Sequence, residues 1–152
     1  MSDGDPRPVR WGILSTAAIG TGKVIPAMQA AELCDVAAIA SRDADRARSA
    51  ADALGIGTAY GSYEALLDDP DVEAVYNSLP NHLHVPWTVR AAEAGKHVLC
   101  EKPIALSADE GRTLLEVRDR TGVTLAEAFM IRTHPQWLDA VRRVRDGGIG
   151  EL

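Results

Sequence analysis

The chain has 152 residues, of which 46% are hydrophobic and 25% are charged, a balance that is typical of one globular domain. Its net charge of -6 argues against non-specific binding to nucleic acid. No apolar run is long enough to span a bilayer, and residues 1–8 lack the apolar core of a signal peptide. We therefore expect a cytoplasmic protein with a flexible tail at residues 1–8 and with no nucleic-acid or membrane partner.

Strand and helix patterns alternate along the chain. Short apolar runs predict six strands, at residues 9–14, 34–40, 58–60, 73–79, 97–100 and 123–129. Helical spacing and capping residues predict helices between and after them, from the region of Val24 to Ala31 and at about 44–54, 62–67, 84–94, 108–121 and 135–146. This alternation indicates an α/β fold with a doubly wound parallel sheet covered by helices on both faces.

Two local features qualify this pattern. Pro26 lies inside the first helical pattern, where it should kink or loosen the first turns. At the other end, residues 149–152 read as the start of a further strand. Because so short a strand has little stability alone, we expect the chain to be the front part of a longer protein.

The segment from His97 to Pro103 places a lysine directly after a predicted buried strand. Pro103 cannot donate to a strand ladder, so pairing should stop before it and leave Lys102 at the carboxyl end of the strand. Open parallel sheets bind their ligands at that end. A lysine there can take part in proton transfer. The alternative is an ordinary solvated surface lysine.

The turn after the first predicted strand has the position of a phosphate-binding loop. The fingerprint G-x-G-x-x-G falls on residues 15–20, but only Gly20 is a glycine there, and Ser15 and Ala17 occupy the other two glycine positions. Ser15 can make a tight turn and offer its hydroxyl to a phosphate. The turn follows a strand and opens a helix, as binding at a helix N-terminus requires. An ordinary strand-to-helix turn remains the alternative.

In a dinucleotide-binding domain, the residues that bind the ribose of the cofactor should lie about 20 positions after the phosphate-binding turn. Ser41 and Arg42 occupy this region, and an arginine suits the 2′-phosphate of NADP where a carboxylate would suit NAD. Asp43 competes for this role, but it is better placed to cap the following helix. We therefore expect NADP as the cofactor, with NAD less favoured.

Five segments together resemble the Gfo/Idh/MocA oxidoreductases, named for glucose–fructose oxidoreductase and inositol dehydrogenase. The match extends from Val9 over nearly the whole chain, and its opening is most similar to the branch that contains glucose–fructose oxidoreductase, xylose dehydrogenase and dihydrodiol dehydrogenase. The segments are Arg10–Ala17, Ala40–Asp43, Pro80–His84, Cys100–Pro103 and Glu127–Met130.

The resemblance implies a Rossmann-type domain at residues 9–130, which binds NAD(P). Residues 131–152 would form a connecting helix and the start of a C-terminal α/β substrate domain that this sequence lacks. Trp137 would then lie on a helix that docks on the absent domain, and oligomers would form through that domain. Alone, the 152-residue chain should bind cofactor with little or no turnover.

The resemblance also assigns roles to residues. Lys102 would be catalytic, lying near the nicotinamide and hydrogen-bonding the reacting hydroxyl or carbonyl of a sugar, polyol or diol. Arg132 and His134 would contact this substrate. The expected cofactor contacts are Ser15, Thr16, Ala17, Ile19, Ser41, Arg42, Leu79, Pro80, Asn81, His82, Glu101 and Lys102.

Other readings of the sequence are a catalytically silent nucleotide-binding or regulatory module, and a doubly wound domain that binds another small ligand. A metal site is not expected, because the spacing of His82, His84, His97 and Cys100 fits no closed zinc pattern.

Overall fold

A computed structural model describes residues 7–150, so most of the predicted tail lies outside the described residues. The fold is a six-stranded parallel sheet in the order β3-β2-β1-β4-β5-β6, with helices between the strands. This confirms the predicted α/β doubly wound class, and the order is that of a Rossmann fold. The strands are β1 Val9–Leu14, β2 Cys34–Ala40, β3 Thr58–Tyr60, β4 Ala74–Asn77, β5 His97–Glu101 and β6 Leu125–Ala128.

Six α-helices connect and follow these strands. Two 3-10 turns, Asn81–Leu83 and Met130–Arg132, and one π-helical turn, Gly20–Val24, complete the regular structure of the described residues. Within residues 7–150, no helix combines the length and apolar character needed to cross a bilayer. The helices are α1 Ile25–Gln29, α2 Ala44–Leu54, α3 Tyr63–Leu67, α4 His84–Glu93, α5 Ala108–Thr121 and α6 Pro135–Arg145.

The core lies on both faces of the sheet. Ile13 and Leu14 are neighbours in β1, point to opposite faces and are both 0% exposed. Ile13 packs in a cluster with Ile25 of α1, and Leu14 packs in a cluster with Leu66 of α3. Because both faces are covered, the residues that contact ligand must lie at an edge of the sheet.

Capping residues set several helix boundaries as the sequence predicts. The side chains of Asp43, Ser62 and Ser107 accept hydrogen bonds from backbone N–H groups in the first turns of α2, α3 and α5. Gly55 and Gly122 end α2 and α5 with φ of 68° and 73°, in the left-handed region that glycine adopts without a steric cost.

The structure confirms the loosened turn predicted at Pro26 and corrects the strand predicted at the end of the chain. Ahead of Pro26 the chain forms a π-helical turn, with Ile25 N–H bonded to Gly20 O, because a proline has no N–H for the α-helical ladder. The predicted terminal strand is wrong at Ile149, since residues 147–149 form a turn and Gly147 and Gly150 have φ of 76° and 82°. Glu151 and Leu152 lie outside the described residues.

Candidate functional site

The carboxyl ends of the four central strands lie level with one another. Leu14 of β1 is paired with Ala40 of β2 and with Asn77 of β4, and Asn77 is paired with Cys100 of β5. The chain therefore leaves all four strands at the same edge. From β1 the chain continues to β2 on one side of it in the sheet, and from β4 it continues to β5 on the other side. Such a switch point is where open α/β sheets form a ligand crevice.

The turn after β1 is held in an unusual conformation. Ser15 has φ of 94°, the only positive φ of a non-glycine residue in the described part of the chain, and its Oγ accepts a hydrogen bond from Ala17 N–H at 3.1 Å. The first position of the fingerprint thus has a glycine-like backbone although it carries a serine. Gly20 is buried at the start of the π-helical turn, and a Cβ there would lie 3.4 Å from Ser78 Oγ. The π-helical turn therefore packs closely against the end of β4.

The segment after β2 presents cations to the same edge. Ser41 is buried, and its Oγ accepts a hydrogen bond from Asp43 N–H at 3.3 Å. Asp43 in turn accepts from Arg46 N–H at 3.1 Å, which fixes the first turn of α2. The side chains of Arg42 and Arg46 are exposed and form no ion pair with another residue of the range 7–150.

Residues 78–83, which we call the β4 loop, are anchored by a buried amide. Asn77 is 0% exposed, its Oδ1 accepts from Leu79 N–H at 3.2 Å, and its Nδ2 donates to His84 O at 3.1 Å and to Thr88 Oγ1 at 3.2 Å. Ser78 Oγ donates to Leu14 O at 3.2 Å. These bonds hold the β4 loop against the end of β1.

Between these segments lies a groove of about 350 Å³. Seven of the predicted cofactor contacts line it: Ser15, Thr16, Ala17, Ser41, Arg42, Leu79 and Pro80. Four further residues line the groove without having been predicted from the sequence: Arg46, Tyr63, Ser78 and Leu83. Of these, Arg46 could have been predicted from the sequence, because it lies in the first turn of a helix capped by Asp43, one turn beyond Arg42.

Lys102 lies at the same edge but does not line the groove. It follows the last residue of β5 directly, and its exposed side chain makes no hydrogen bond or ion pair within residues 7–150. The preceding Glu101 accepts a hydrogen bond from Tyr76 Oη at 2.7 Å, and burial together with this bond raises the pKa of Tyr76. Burial also raises the pKa of the Cys100 thiol to about 12, so this cysteine is not a thiolate nucleophile at neutral pH.

Several predicted site residues lie outside the groove. The side chain of Ile19 is 48% exposed, and Asn81, His82 and Glu101 also do not line it. Arg132 is exposed beyond β6, and His134 caps α6, where its Nδ1 accepts from Gln136 N–H at 3.2 Å. In the part of the chain that is described, no group of three or more His, Cys, Asp or Glu residues is arranged to hold a metal ion.

Comparison with known proteins gives a family match over most of the chain. The Gfo/Idh/MocA model, described as an oxidoreductase family with an NAD-binding Rossmann fold, matches residues 9–129. An oxidoreductase of Rhizobium meliloti is 60% identical over 144 residues, which are 95% of this chain and 43% of that protein. The D-xylose 1-dehydrogenase (NADP(+)) 2 of Haloferax volcanii is 58% identical over 125 residues, covering 82% of this chain and 38% of that protein.

A solved structure has the same fold over nearly all of this chain. A variant of a 3-ketoreductase from Actinomadura kijaniata, in complex with TDP-benzene and NADP, superposes with a TM-score of 0.90 at 40% identity. The match covers 96% of this chain and 45% of that one. The chain therefore spans less than half the length of the relatives it matches, and what it covers is their dinucleotide-binding part as the family description gives it.

Proposed function

The chain belongs to the Gfo/Idh/MocA oxidoreductase family, and we propose that it is the cofactor-binding part of an NADP-dependent enzyme that moves a hydride between nicotinamide and a sugar, polyol or diol. The observation that carries this proposal is the groove at the switch point between β1 and β4. It combines a glycine-like turn opening a helix with two arginines that have no carboxylate partner in residues 7–150.

The turn after β1 supports binding of the pyrophosphate. The helix that follows Ser15 begins at Ala18, and the first N–H groups of a helix have no partner within it. They form a partly positive end that favours an anion. Ala17 adds one methyl group at the point of closest approach, so the pyrophosphate would sit slightly further from the backbone than over a glycine.

Ser41, Arg42 and Arg46 support the preference for NADP. All three line the groove, and a serine hydroxyl with two guanidinium groups suits a 2′-phosphate better than a 2′-hydroxyl. No carboxylate lines the groove to bind the ribose of NAD. The NADP named for the xylose dehydrogenase and for the ketoreductase complex is consistent with this preference.

Lys102 is the candidate for the chemical step. Its ammonium group is exposed at the edge where the β4 loop would hold the nicotinamide side of the cofactor. There it would stabilise the developing alkoxide as the hydride is transferred, and it would exchange a proton with the reacting oxygen. The substrate itself would be held by a second domain, which lies outside the part of the relatives that this chain matches.

The exposed face of α6 supports a role for residues 131–152 in contacting that domain. Trp137, Leu138, Val141 and Val144 are between 39% and 54% exposed, although apolar side chains on a helix ordinarily pack against a neighbour. Arg132 and His134 lie just before this helix, where they would contact substrate at the boundary between the domains.

Titration of the 152-residue chain with NADPH and NADH tests the proposal. We expect NADPH to bind at least about tenfold more tightly, because a charge-assisted hydrogen bond to the additional phosphate contributes about 1.5–3 kcal/mol. Arg42→Ala should abolish the preference, and Arg46→Ala should reduce it, while NADH affinity stays within about twofold of the unmodified chain.

Arg48→Ala is the matched control, since Arg48 is an exposed arginine of the same helix that does not line the groove. It should leave both affinities unchanged. Equal or tighter binding of NADH would refute the NADP preference. Absence of binding by either dinucleotide would refute the proposed cofactor role and favour a doubly wound domain that binds a different small ligand.

A further inference from the structure

His84 lies at the start of α4, and its side chain connects two loops at the carboxyl edge. The residue is 1% exposed, its Nε2 lies 2.7 Å from Leu79 O, and its Nδ1 lies 2.7 Å from Pro103 O. Leu79 belongs to the β4 loop. Pro103 belongs to residues 102–107, which we call the β5 loop and which carry Lys102.

These two contacts are unusual because both partners can only accept. A carbonyl oxygen has no hydrogen to donate, so each contact is a hydrogen bond only if the facing ring nitrogen carries hydrogen. A neutral imidazole has one N–H and satisfies one of the two carbonyls. In either neutral tautomer the ring donates to one carbonyl and lies 2.7 Å from the other, so it links the two loops directly.

The backbone of His84, which carries the ring, is also held in place. Asn77 donates to His84 O and accepts from Leu79 N–H. The same buried amide therefore fixes both His84 and Leu79, whose carbonyl faces the His84 ring. Within residues 7–150, no other side chain is hydrogen-bonded to both the β4 loop and the β5 loop. A movement of Leu79 is therefore passed to Pro103 through a rigid ring.

We propose that His84 is a positioning residue, which couples the occupancy of the cofactor groove to the position of Lys102. This inference rests on the proposed function. Leu79 lines the groove, so a bound dinucleotide contacts the β4 loop on one side while His84 holds it on the other. Through Pro103 O, the ring then sets where the neighbouring Lys102 stands relative to the nicotinamide.

The first test is the spectroscopic signature of the ring in the unmodified chain. In a sample labelled with ¹⁵N-histidine, we expect a slowly exchanging ring N–H signal from His84 without any cofactor, because the ring is buried and hydrogen-bonded. A His84 ring N–H that exchanges rapidly with solvent would overturn the inference even if NADPH binds. This measurement needs no variant, so it stays decisive if a substitution at His84 prevents folding.

The second test is the response of the two loops to NADPH. In the ¹⁵N-labelled chain, the amide signals of Ile104, Ala105 and Leu106 should shift with the same Kd as those of the β4 loop. In His84→Gln, whose amide hydrogens lie on one nitrogen and cannot reach both carbonyls, NADPH affinity should stay within about threefold while the β5-loop shifts fall to less than a third. Unchanged β5-loop shifts in this variant would overturn the proposal.

Lys96→Met is the matched structural control. Lys96 is also buried beside two backbone carbonyls, and its Nζ donates to those of Asp69 at 2.6 Å and Val72 at 2.8 Å, away from the β4 and β5 loops. Its loss should lower the melting temperature and leave the β5-loop response intact. Loss of that response in Lys96→Met as well would assign the effect to general destabilisation. If the unmodified chain binds no NADPH, the proposed function fails, and the coupling fails with it.

Discussion

The two ends of the parallel sheet treat their polar groups in opposite ways. At the amino end, Lys96 bonds two backbone carbonyls and Glu73 pairs with Arg7 and with the backbone N–H of Arg10. At the carboxyl end, Arg42 and Lys102 have no side-chain partner within residues 7–150.

The backbone conformation of the turns also differs between the two ends of the sheet. Helices α2, α4 and α5 are followed by glycines in the left-handed region before the chain enters the next strand at the amino end. The turn at the carboxyl end of β1 has a serine in that region instead. The polar groups named at the amino end are paired within the chain, whereas the carboxyl end combines bonded groups such as Asn77 and Ser78 with a strained turn and exposed cations. This difference is consistent with the proposal that the ligand binds at the carboxyl end.

The largest effect that separates the two ends is expected at Lys102. In a form of the protein that turns over substrate, Lys102→Ala should lower kcat by about 10²–10⁴-fold, the range for loss of a general acid–base group. The free energy of unfolding should change by less than about 0.5 kcal/mol, because the side chain is exposed. Steady-state kinetics and denaturant unfolding check the two parts. A loss of stability without a loss of kcat would mean that Lys102 has a structural role and not a catalytic one.

The converse result is expected at the amino end. Lys96→Met removes the donor to Val72 O and leaves Asp69 O with only the bond from Val72 N–H, so we expect a loss of about 1–3 kcal/mol in the free energy of unfolding. The Kd for NADPH should stay within about twofold. Urea unfolding and a fluorescence titration measure these values. A large change in Kd would mean that the two ends are not independent.

The strain in the turn after β1 predicts a smaller effect. Ser15→Ala keeps a side chain at φ of 94° and loses the hydrogen bond from Ala17 N–H, whereas Ser15→Gly loses the bond but relieves the strain. The alanine variant should therefore unfold about 1 kcal/mol more easily than the glycine variant. Thermal or urea unfolding of the two variants side by side checks the difference. Equal stabilities would show that the turn stores no strain.

The smallest effect is the pH dependence of the amino end. Hydrogen bonds from Arg7 and from Arg10 N–H lower the pKa of Glu73 from 4.5 to about 2. Because the pKa is lower in the folded state, Glu73 stabilises the fold above its ordinary pKa, and this contribution is lost as the pH falls from about 4.5 towards 2. Glu73→Gln should flatten the stability profile in that window. An NMR titration of Glu73 with a midpoint near 4.5 would contradict the assignment.

The sequence predicts the scaffold well, because the signals that set it are local. Asp43 and Ser107 are followed by helices in the structure as the capping pattern requires, and Gly122 ends the second of these helices. Local signals were weaker at Pro26, where the chain keeps its helical path by widening one turn, and at Ile149, where two left-handed glycines override an apolar pattern.

The site was predictable only in part. The segments that follow β1, β2 and β4 converge as expected, because the carboxyl ends of parallel strands share an edge. Tyr63 and His84 were not identified as site residues, since the first reaches the groove through the packing of α3 and the second acts through two loops distant in sequence. Such roles depend on tertiary contacts that no spacing in the sequence records.

The aromatic contact behind the groove gives the molecule an optical readout. Tyr63 lines the groove, and its ring meets that of Trp87 edge to face at 4.9 Å, with Arg90 stacked 4.6 Å from the centre of the indole. An indole so close to the binding surface is well placed for energy transfer to a reduced nicotinamide. We therefore expect tryptophan fluorescence to change when NADPH binds, and comparison with Trp87→Phe would separate the contribution of Trp87 from those of Trp11 and Trp137.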